Sequence, residues 1–357
     1  MTRAIRMLVL LFGLWGGAAV AQQGAPAAGP QPANILEATR DDQAARQQVQ
    51  PLNNAPVWRE VNSPSSGFTN LPANEGGVLI QSAGEDWRQL RNGPVTQYGG
   101  WGLVVVLLVI AAYYLLHGSF KVSAAPTGRL IERFTLVERA THWLNAACFV
   151  LLALTGIVML FGKYVVLPLS GYTLFSLLAT VSKTTHNFVG PLFAATTIAL
   201  FLTYVKDNLP RAYDLTWLSR AGGMFSRGAH VPSGKYNAGE KLVFWGGAVL
   251  LAVIVTVTGF VLNFPNFGQT RALMQDAWMI HVIAALLFIA VIMGHAYMGT
   301  IGMQGALESM KTGYVDESWA KEHHEYWYDD VKAGRIPAQR SGQGAARAAG
   351  SAAQAQG

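Results

Sequence analysis

Five long apolar segments, separated by shorter polar ones, fill most of the chain from about residue 98 onward. Each is close to the ~20 residues that an α-helix needs to cross the hydrocarbon core of a membrane. The pattern therefore predicts an all-α membrane protein, with spanning helices at about 98–116, 142–162, 185–205, 242–264 and 277–298.

The N-terminal region has a different pattern. Two arginines precede a short apolar stretch from Met7 to Trp15, and an Ala-Val-Ala tripeptide ends at Ala21. These features predict a signal peptide at 1–21, with an uncleaved anchor as the alternative. Residues 22–97 are rich in Ala, Gln, Pro and Asn, and we expect a loosely ordered exported segment there.

The basic residues predict the orientation of the spans. Lys and Arg number four in 118–141, six in 206–241 and six from residue 300 onward, against two in 163–184 and one in 265–276. Because cytoplasmic loops carry the excess of positive charge, the mature N-terminus is expected outside and the C-terminus in the cytoplasm. This arrangement is expected of a multi-pass protein of a bacterial inner membrane.

One further stretch, residues 164–182, is apolar enough to be a sixth span. A sixth span would reverse the orientation of every later span and place the six positive charges of 206–241 outside the cell. We therefore expect 164–182 to lie along the outer interface as one or two short helices.

Composition narrows the class of protein. The chain of 357 residues is 51% hydrophobic and only 13% charged, with a mean hydropathy of +0.27, which excludes an ordinary soluble protein. The net charge is +6, but the basic residues lie between the apolar segments rather than on one polar face, so the charge does not indicate nucleic-acid binding. The single cysteine, Cys148, excludes an intrachain disulfide, a thiolate-held iron–sulfur cluster and covalent haem attachment within this chain.

Four histidines fall inside the predicted spans at two depths. His186 and His281 lie near the outer side, and His142 and His295 lie near the cytoplasmic side. His281 and His295, both in the fifth predicted span, are 14 residues apart. This separation is a rise of ~21 Å over nearly four helical turns, so both side chains project from about the same face of the helix.

Intramembrane histidines are costly unless they face the interior of a bundle and have a partner. A lone histidine could be a neutral imidazole hydrogen-bonded to a neighbouring helix. Two pairs at matched depths instead favour axial ligation of iron in two non-covalently bound haem b groups, His186 with His281 and His142 with His295. Four glycines within the predicted spans lie near these depths: Gly156, Gly190, Gly259 and Gly294. A glycine there could admit a flat macrocycle or allow a close contact between helices.

Four stretches resemble the gamma subunit, the cytochrome b subunit, of membrane-bound respiratory formate dehydrogenase. They are "ERATHWLNAACFVLLALTGI" (138–157), "KYNAGEKLVFW" (235–245), "IHVIAALLFIAVIMGHAYM" (280–298) and "WAKEHHEYWY" (319–328). The resemblance implies a four-helix di-haem bundle whose ligands are the same four histidines. It also implies a quinone, menaquinone or ubiquinone, beside the inner haem at Asn237, Gly239 and His295.

The resemblance further implies the partners and the reaction. An iron–sulfur (beta) subunit would deliver electrons from a molybdenum- or tungsten-containing catalytic (alpha) subunit, and this chain would pass them through the outer and inner haems to quinone without oxidising formate itself. Without the resemblance, "KYNAG" also fits a helix start, with Asn237 as the N-cap residue. The two histidines His323 and His324 are expected at the surface of a charged tail.

The expected organisation is a signal peptide, an exported segment, an extra helix at 98–117, a di-haem core at 118–310 and a cytoplasmic tail at 311–357. The extension before the core exceeds the compact form of the family. Two alternatives stay open: a cytochrome b of a nickel–iron hydrogenase or thiosulfate-type reductase, and a haem-free membrane anchor or proton-relaying transporter. A visible spectrum distinguishes the latter from a cytochrome.

Overall fold

The structure, a computed structural model, describes residues 84–224 and 231–341, and it gives the backbone of two short strands before them, Gly67–Phe68 (β1) and Val78–Ile80 (β2). The predicted signal peptide and most of the predicted exported segment lie outside the described residues. The expectation of a loosely ordered chain was wrong for 84–97, because these residues are helical and continue into the first long helix. The chain divides into two compact units, 1–67 with 80–82 and 68–79 with 83–357, and everything below concerns the second.

Helix α1, Gly84–His117, is the additional N-terminal helix. Its turn at Arg91–Val95, which contains Pro94, is π-helical. Proline cannot donate the usual backbone hydrogen bond, so a wider turn at this point lets the helix continue. The helix ends at Gly118, which has a φ of +70°.

The next helical run, Leu136–Tyr204, has 69 residues and contains one residue with non-helical backbone, Gly171, at φ +71°. We treat its two arms as α2 (136–170) and α3 (172–204). Thr135 and Glu138 begin α2 with a reciprocal capping box.

Side-chain contacts show that α2 and α3 form an antiparallel hairpin. The Tyr204 hydroxyl donates to the carbonyl of Glu138, and the Thr196 hydroxyl donates to Asn145. Nearer the turn, a side chain on Gly162 would meet Phe175. The expectation of separate interfacial helices at 164–182 was wrong, because these residues extend α2 and α3 on either side of Gly171.

The second half of the bundle is a second pair of helices. A short helix, Ala212–Ser219 (α4), and a 3-10 turn at Ala221–Gly223 precede it. Helix α5, Ala238–Asn263, is capped by Asn237 and is π-helical at Val243–Leu251. Helix α6, Arg271–Gly302, is capped by Thr270 and is π-helical in its last turn, Met298–Gly302.

Within the described part of the chain, four helical runs are long and apolar enough to cross a membrane. Because the 69-residue run folds back at Gly171, it contributes two passes. The predicted fold class is confirmed: an all-α membrane bundle of α2, α3, α5 and α6, with α1 as an additional helix.

The centre of the bundle is a cluster to which each of the four helices contributes one buried residue: Cys148, Phe193, Ala252 and Phe288. Many leucines and valines on the outward faces are exposed instead, among them Leu108 and Leu154. Small interior residues and apolar outward faces suit helices whose surroundings are lipid.

A small folded cap covers one end of the bundle. Strand β3, Leu130–Glu132, pairs antiparallel with β4, Tyr314–Asp316. Three short helices complete the cap: Ala306–Thr312 (α7), Glu317–His323 (α8) and Glu325–Lys332 (α9). We call this end of the bundle the cap end, and the end at Gly171 the hairpin end.

The cap has its own core, which includes Ile131, Val315, Trp319 and Trp327. His324, expected at the surface, is 1% exposed and its Nδ1 lies 2.7 Å from the carbonyl oxygen of Gly234. That expectation was wrong, because tryptophans that the sequence places in a charged segment pack together in the tertiary structure and enclose the ring.

Candidate functional site

The four predicted histidines form two pairs in the structure. His186 of α3 and His281 of α6 lie at the hairpin end, with ring centres 6.2 Å apart. His142 of α2 and His295 of α6 lie toward the cap end, with ring centres 6.1 Å apart. The bundle therefore brings together the same partners that were predicted from depth.

Hydroxyl groups orient both rings of the hairpin-end pair. The Thr155 hydroxyl oxygen lies 2.9 Å from Nδ1 of His186 and donates to the carbonyl of Leu151. Likewise, the Thr258 hydroxyl oxygen lies 3.0 Å from Nδ1 of His281 and donates to the carbonyl of Ile254. Where each hydroxyl donates its proton to the carbonyl, its oxygen accepts the Nδ1 proton, and Nε2 is then free to bind a metal.

Sequence reasoning missed these two threonines. The signal was present as a repeated Thr-Gly pair, Thr155-Gly156 in α2 and Thr258-Gly259 in α5. The glycine of each pair faces the histidine that its threonine orients. A Cβ on Gly156 would lie 3.6 Å from Cε1 of His186, and one on Gly259 would lie 3.3 Å from Cε1 of His281.

A cavity of about 540 Å³ lies around the hairpin-end pair. Gly190 lines it, and a Cβ on this residue would meet nothing within 4 Å. The lining is mostly apolar, with residues from α1, α2, α3, α5 and α6. An apolar cavity of this size with two convergent imidazoles is suited to a bulky, flat ligand.

The cap-end pair has a different environment. The Nδ1 atom of His142 is buried and has no hydrogen-bond partner among the described residues, whereas His295 is exposed. Three phenylalanines separate this pair from the other: Phe149 and Phe288 have ring centres 4.7 Å apart, and Phe193 lies 6.3 Å from each.

Both pairs fit bis-imidazole ligation of iron. Two metal–nitrogen bonds of about 2 Å, with about 1 Å more from each nitrogen to its ring centre, separate the ring centres by about 6 Å. Both pairs have this spacing. The open space beside Gly190 also agrees with a haem held between the helices.

The structure places Asn237 and Gly239 at the start of α5, at the cap end. The side-chain oxygen of Asn237 accepts the backbone N–H of Glu240, and the Glu240 carboxylate accepts the N–H of Asn237. This is the helix-start arrangement considered from the sequence. A Cβ on Gly239 would lie 2.9 Å from the Trp217 ring, so the position requires a glycine for packing.

Charged groups surround this helix start. Arg133, 3% exposed, donates to Glu240 at 2.9 Å. Lys235 donates to Glu138 at 2.8 Å and to Asp207 at 2.6 Å. Burial raises the pKa of the nearby Tyr236 phenol well above 10, so it stays protonated at every working pH. The cap end of the bundle is therefore a polar, largely paired region.

Comparisons with known proteins relate the chain to b-type cytochromes. The prokaryotic cytochrome b561 family matches residues 133–313, about half of the chain. The formate dehydrogenase cytochrome b556(fdo) subunit of Escherichia coli (strain K12) is 32% identical over 206 residues, which are 57% of this chain and 93% of that protein.

Two further relatives have similar coverage. The nitrate-inducible formate dehydrogenase cytochrome b556(Fdn) subunit of the same strain is 30% identical over 57% of this chain and 93% of its own length. The formate dehydrogenase cytochrome b556 subunit of Haemophilus influenzae is 28% identical over 58% of this chain and 86% of its own length. The chain belongs to the prokaryotic cytochrome b561 family, and its bundle is similar to the cytochrome b subunits of formate dehydrogenases.

Proposed function

We propose that this chain is the di-haem b membrane subunit of a formate dehydrogenase complex, which it anchors in the bacterial inner membrane. It receives electrons from an iron–sulfur subunit that serves a molybdenum- or tungsten-containing catalytic subunit, and it passes them to a quinone. The observation that carries the proposal is the presence of two histidine pairs, each at the spacing of a shared metal, on one bundle.

The residues of this chain have separate parts in the proposal. His186 and His281 hold one haem, His142 and His295 hold the other, and each haem supplies reversible one-electron chemistry at its iron. With two histidines to bind each iron, such sites would favour electron transfer over oxygen binding. The phenylalanine cluster between the pairs fills the middle of the bundle with apolar side chains.

The proposed orientation places the hairpin end outside and the cap end in the cytoplasm. The supporting observation is the excess of Lys and Arg in 118–141, in 206–241 and after residue 300. The described residues of these segments connect the helices at the cap end or form the cap. Electrons would then enter at the hairpin-end pair and leave at the cap-end pair.

The haem assignment is tested by purifying the protein with its partners and measuring haem b by pyridine haemochrome. We expect two haems per chain in the wild type and one in His281→Ala, with His117→Ala as a control, because His117 is exposed on α1 and has no proposed ligand role. A colourless wild type, or two haems in His281→Ala, contradicts the proposal. Co-purified subunits, with formate tested as the electron donor, identify the partner complex.

We further propose that the quinone binds beside the cap-end pair, near Asn237, Gly239 and His295. The amide nitrogen of Asn237, which takes no part in the capping box, supports this. Asn237→Ser keeps a good N-cap and removes the amide donor.

Two measurements separate the quinone role from a structural one. In Asn237→Ser we expect formate-driven haem reduction to be unchanged and the transfer of electrons to quinone to be slower by about tenfold, the loss of one hydrogen bond of about 1.4 kcal/mol. Equal quinone reduction in Asn237→Ser and the wild type would exclude the amide from the site.

A further inference from the structure

Helix α1, which precedes the part of the chain that matches the family, forms part of the wall of the hairpin-end cavity. A Cβ on Gly99 would lie 2.5 Å from Leu286 of α6, and one on Gly100 would lie 3.1 Å from Phe161 of α2. Leu286 and Phe161 both line the cavity. Helix α1 therefore packs directly against two of the residues that line this cavity.

Arg91 of α1 itself lines the cavity. Its guanidinium lies over two tryptophan rings, 5.4 Å from the centre of Trp87 and 5.0 Å from that of Trp278. Trp87 is in turn tied to α6 through its indole N–H, which donates to the carbonyl of Gln275 at 3.2 Å. These contacts hold the guanidinium in one place. Arg91 is also the first residue of the π-helical turn.

The Nε atom of Arg91 is buried and has no hydrogen-bond partner among the described residues. A buried guanidinium nitrogen without a hydrogen bond is costly, and the two tryptophan rings give the charge a cation–π interaction but no acceptor. The position therefore indicates a partner that is an anion or a strong acceptor inside the cavity.

The formal charges around the cavity have one sign. Of the described residues that line it, those with a formal charge are Arg91 and Lys183, both cations. Lys183 precedes the ligand His186 by one helical turn, and Trp278, which stacks on Arg91, precedes the ligand His281 by one turn. Both cations therefore lie about one turn, or roughly 5 Å, beyond the histidine pair toward the hairpin end.

A haem b has an apolar macrocycle with two propionate carboxylates along one edge, so its charge distribution complements this cavity. We infer that Arg91 of the N-terminal helix, together with Lys183, binds the propionates of the hairpin-end haem, so that the extension completes this haem site. The inference rests on the proposed di-haem function.

The test compares Arg91→Gln with Arg91→Lys and Arg88→Gln in the full chain purified with its partners. Arg88 is one turn away, exposed and paired with Glu85, so its loss removes a cation of α1 without touching the cavity. Haem content, the rate of haem loss on dilution in detergent, and the midpoint potential of each haem are measured.

In Arg91→Gln we expect one of the two haems to have a lower midpoint potential and to dissociate at least severalfold faster, because a cation that favours the reduced form and holds a carboxylate is gone. Arg91→Lys should restore most of the potential, and Arg88→Gln should match the wild type. A structural role alone would not be rescued by a charged side chain of different shape.

Identical potentials and dissociation rates in Arg91→Gln and the wild type, with two haems present in both, would overturn this inference and leave the proposed function standing. A change of both haems equally in Arg91→Gln would also overturn it, since the cap-end pair is remote from α1's first turns. A wild type that holds no haem would overturn the proposed function and the inference together.

Discussion

Thr155 and Thr258 each place a hydroxyl oxygen beside Nδ1 of a hairpin-end histidine. A free imidazole can carry its proton on either nitrogen. Here each threonine oxygen lies within 3.0 Å of Nδ1 while its own proton is used on a backbone carbonyl. The pattern matches the general rule that a ligating histidine donates its second N–H to a fixed acceptor.

The isosteric change Thr258→Val removes the acceptor for His281 and keeps the volume of the side chain. We expect the haem of that pair to be bound about 10–100-fold more weakly, the usual effect of losing the outer hydrogen-bond partner of a metal ligand. The measurement is haem retention on dilution, with Thr258→Ser as the matched control because it keeps the hydroxyl. Equal retention in the Val and Ser variants would show that the hydroxyl does not orient the ring.

At the scale of elements, Gly313 joins the cap to the start of the bundle. Its carbonyl accepts the backbone N–H groups of Arg133 and Phe134, at 2.9 and 3.0 Å. It has a φ of +95°, and a Cβ there would lie 2.5 Å from the carbonyl oxygen of Phe134. Only glycine permits both the conformation and the approach.

Gly313→Ala should therefore destabilise the protein more than Gly334→Ala. Gly334 also has a positive φ, +72°, but a Cβ there would meet nothing within 4 Å. The control is expected to cost about 1–2 kcal/mol for the conformation alone, and Gly313→Ala about 1–3 kcal/mol more for the clash. Thermal unfolding of the purified variants measures both, and equal melting temperatures would show that the cap adapts to the clash.

At the scale of the whole molecule, the cap and the bundle are held together by contacts between distant parts of the chain. Glu138 at the start of α2 accepts from Lys235 and from Arg340, each at 2.8 Å. His324 of the cap lies against the loop before α5 through the carbonyl of Gly234. These contacts join three segments that the sequence separates by about a hundred residues or more.

Burial lowers the pKa of His324 from 6.5 to about 3, so the folded protein keeps this ring neutral where the unfolded chain would protonate it. Stability is therefore full above about pH 6.5 and is lost as the pH falls through the window down to about 3. At pH 5 the loss from this residue is about 2 kcal/mol.

Melting temperatures at pH 7 and pH 5 measure this effect. His324→Asn keeps an N–H donor for Gly234 but does not titrate, so we expect a smaller decrease between the two pH values than in the wild type. His117→Asn, at an exposed position, should decrease as the wild type does. Parallel decreases in His324→Asn and the wild type would contradict the assignment.

The sequence by itself determined the membrane class, the number of passes and the pairing of the four histidines. These follow from the length of apolar segments, from charge in the loops and from the fixed rise of a helix, which are all local properties. The extent of α2 and α3 beyond the predicted spans was not predictable in this way, because an apolar stretch next to a single turn residue fits an interfacial helix as well as a longer hairpin.

Only the tertiary structure decided which polar groups meet. Thr155 faces His186 across 31 residues, Arg91 reaches a cavity formed by four other helices, and His324 is enclosed by tryptophans of its own cap. No local sequence pattern predicts these contacts, since each depends on how distant segments pack against one another. The physical reason is that periodicity fixes the face on which a residue lies, whereas packing fixes what lies opposite that face.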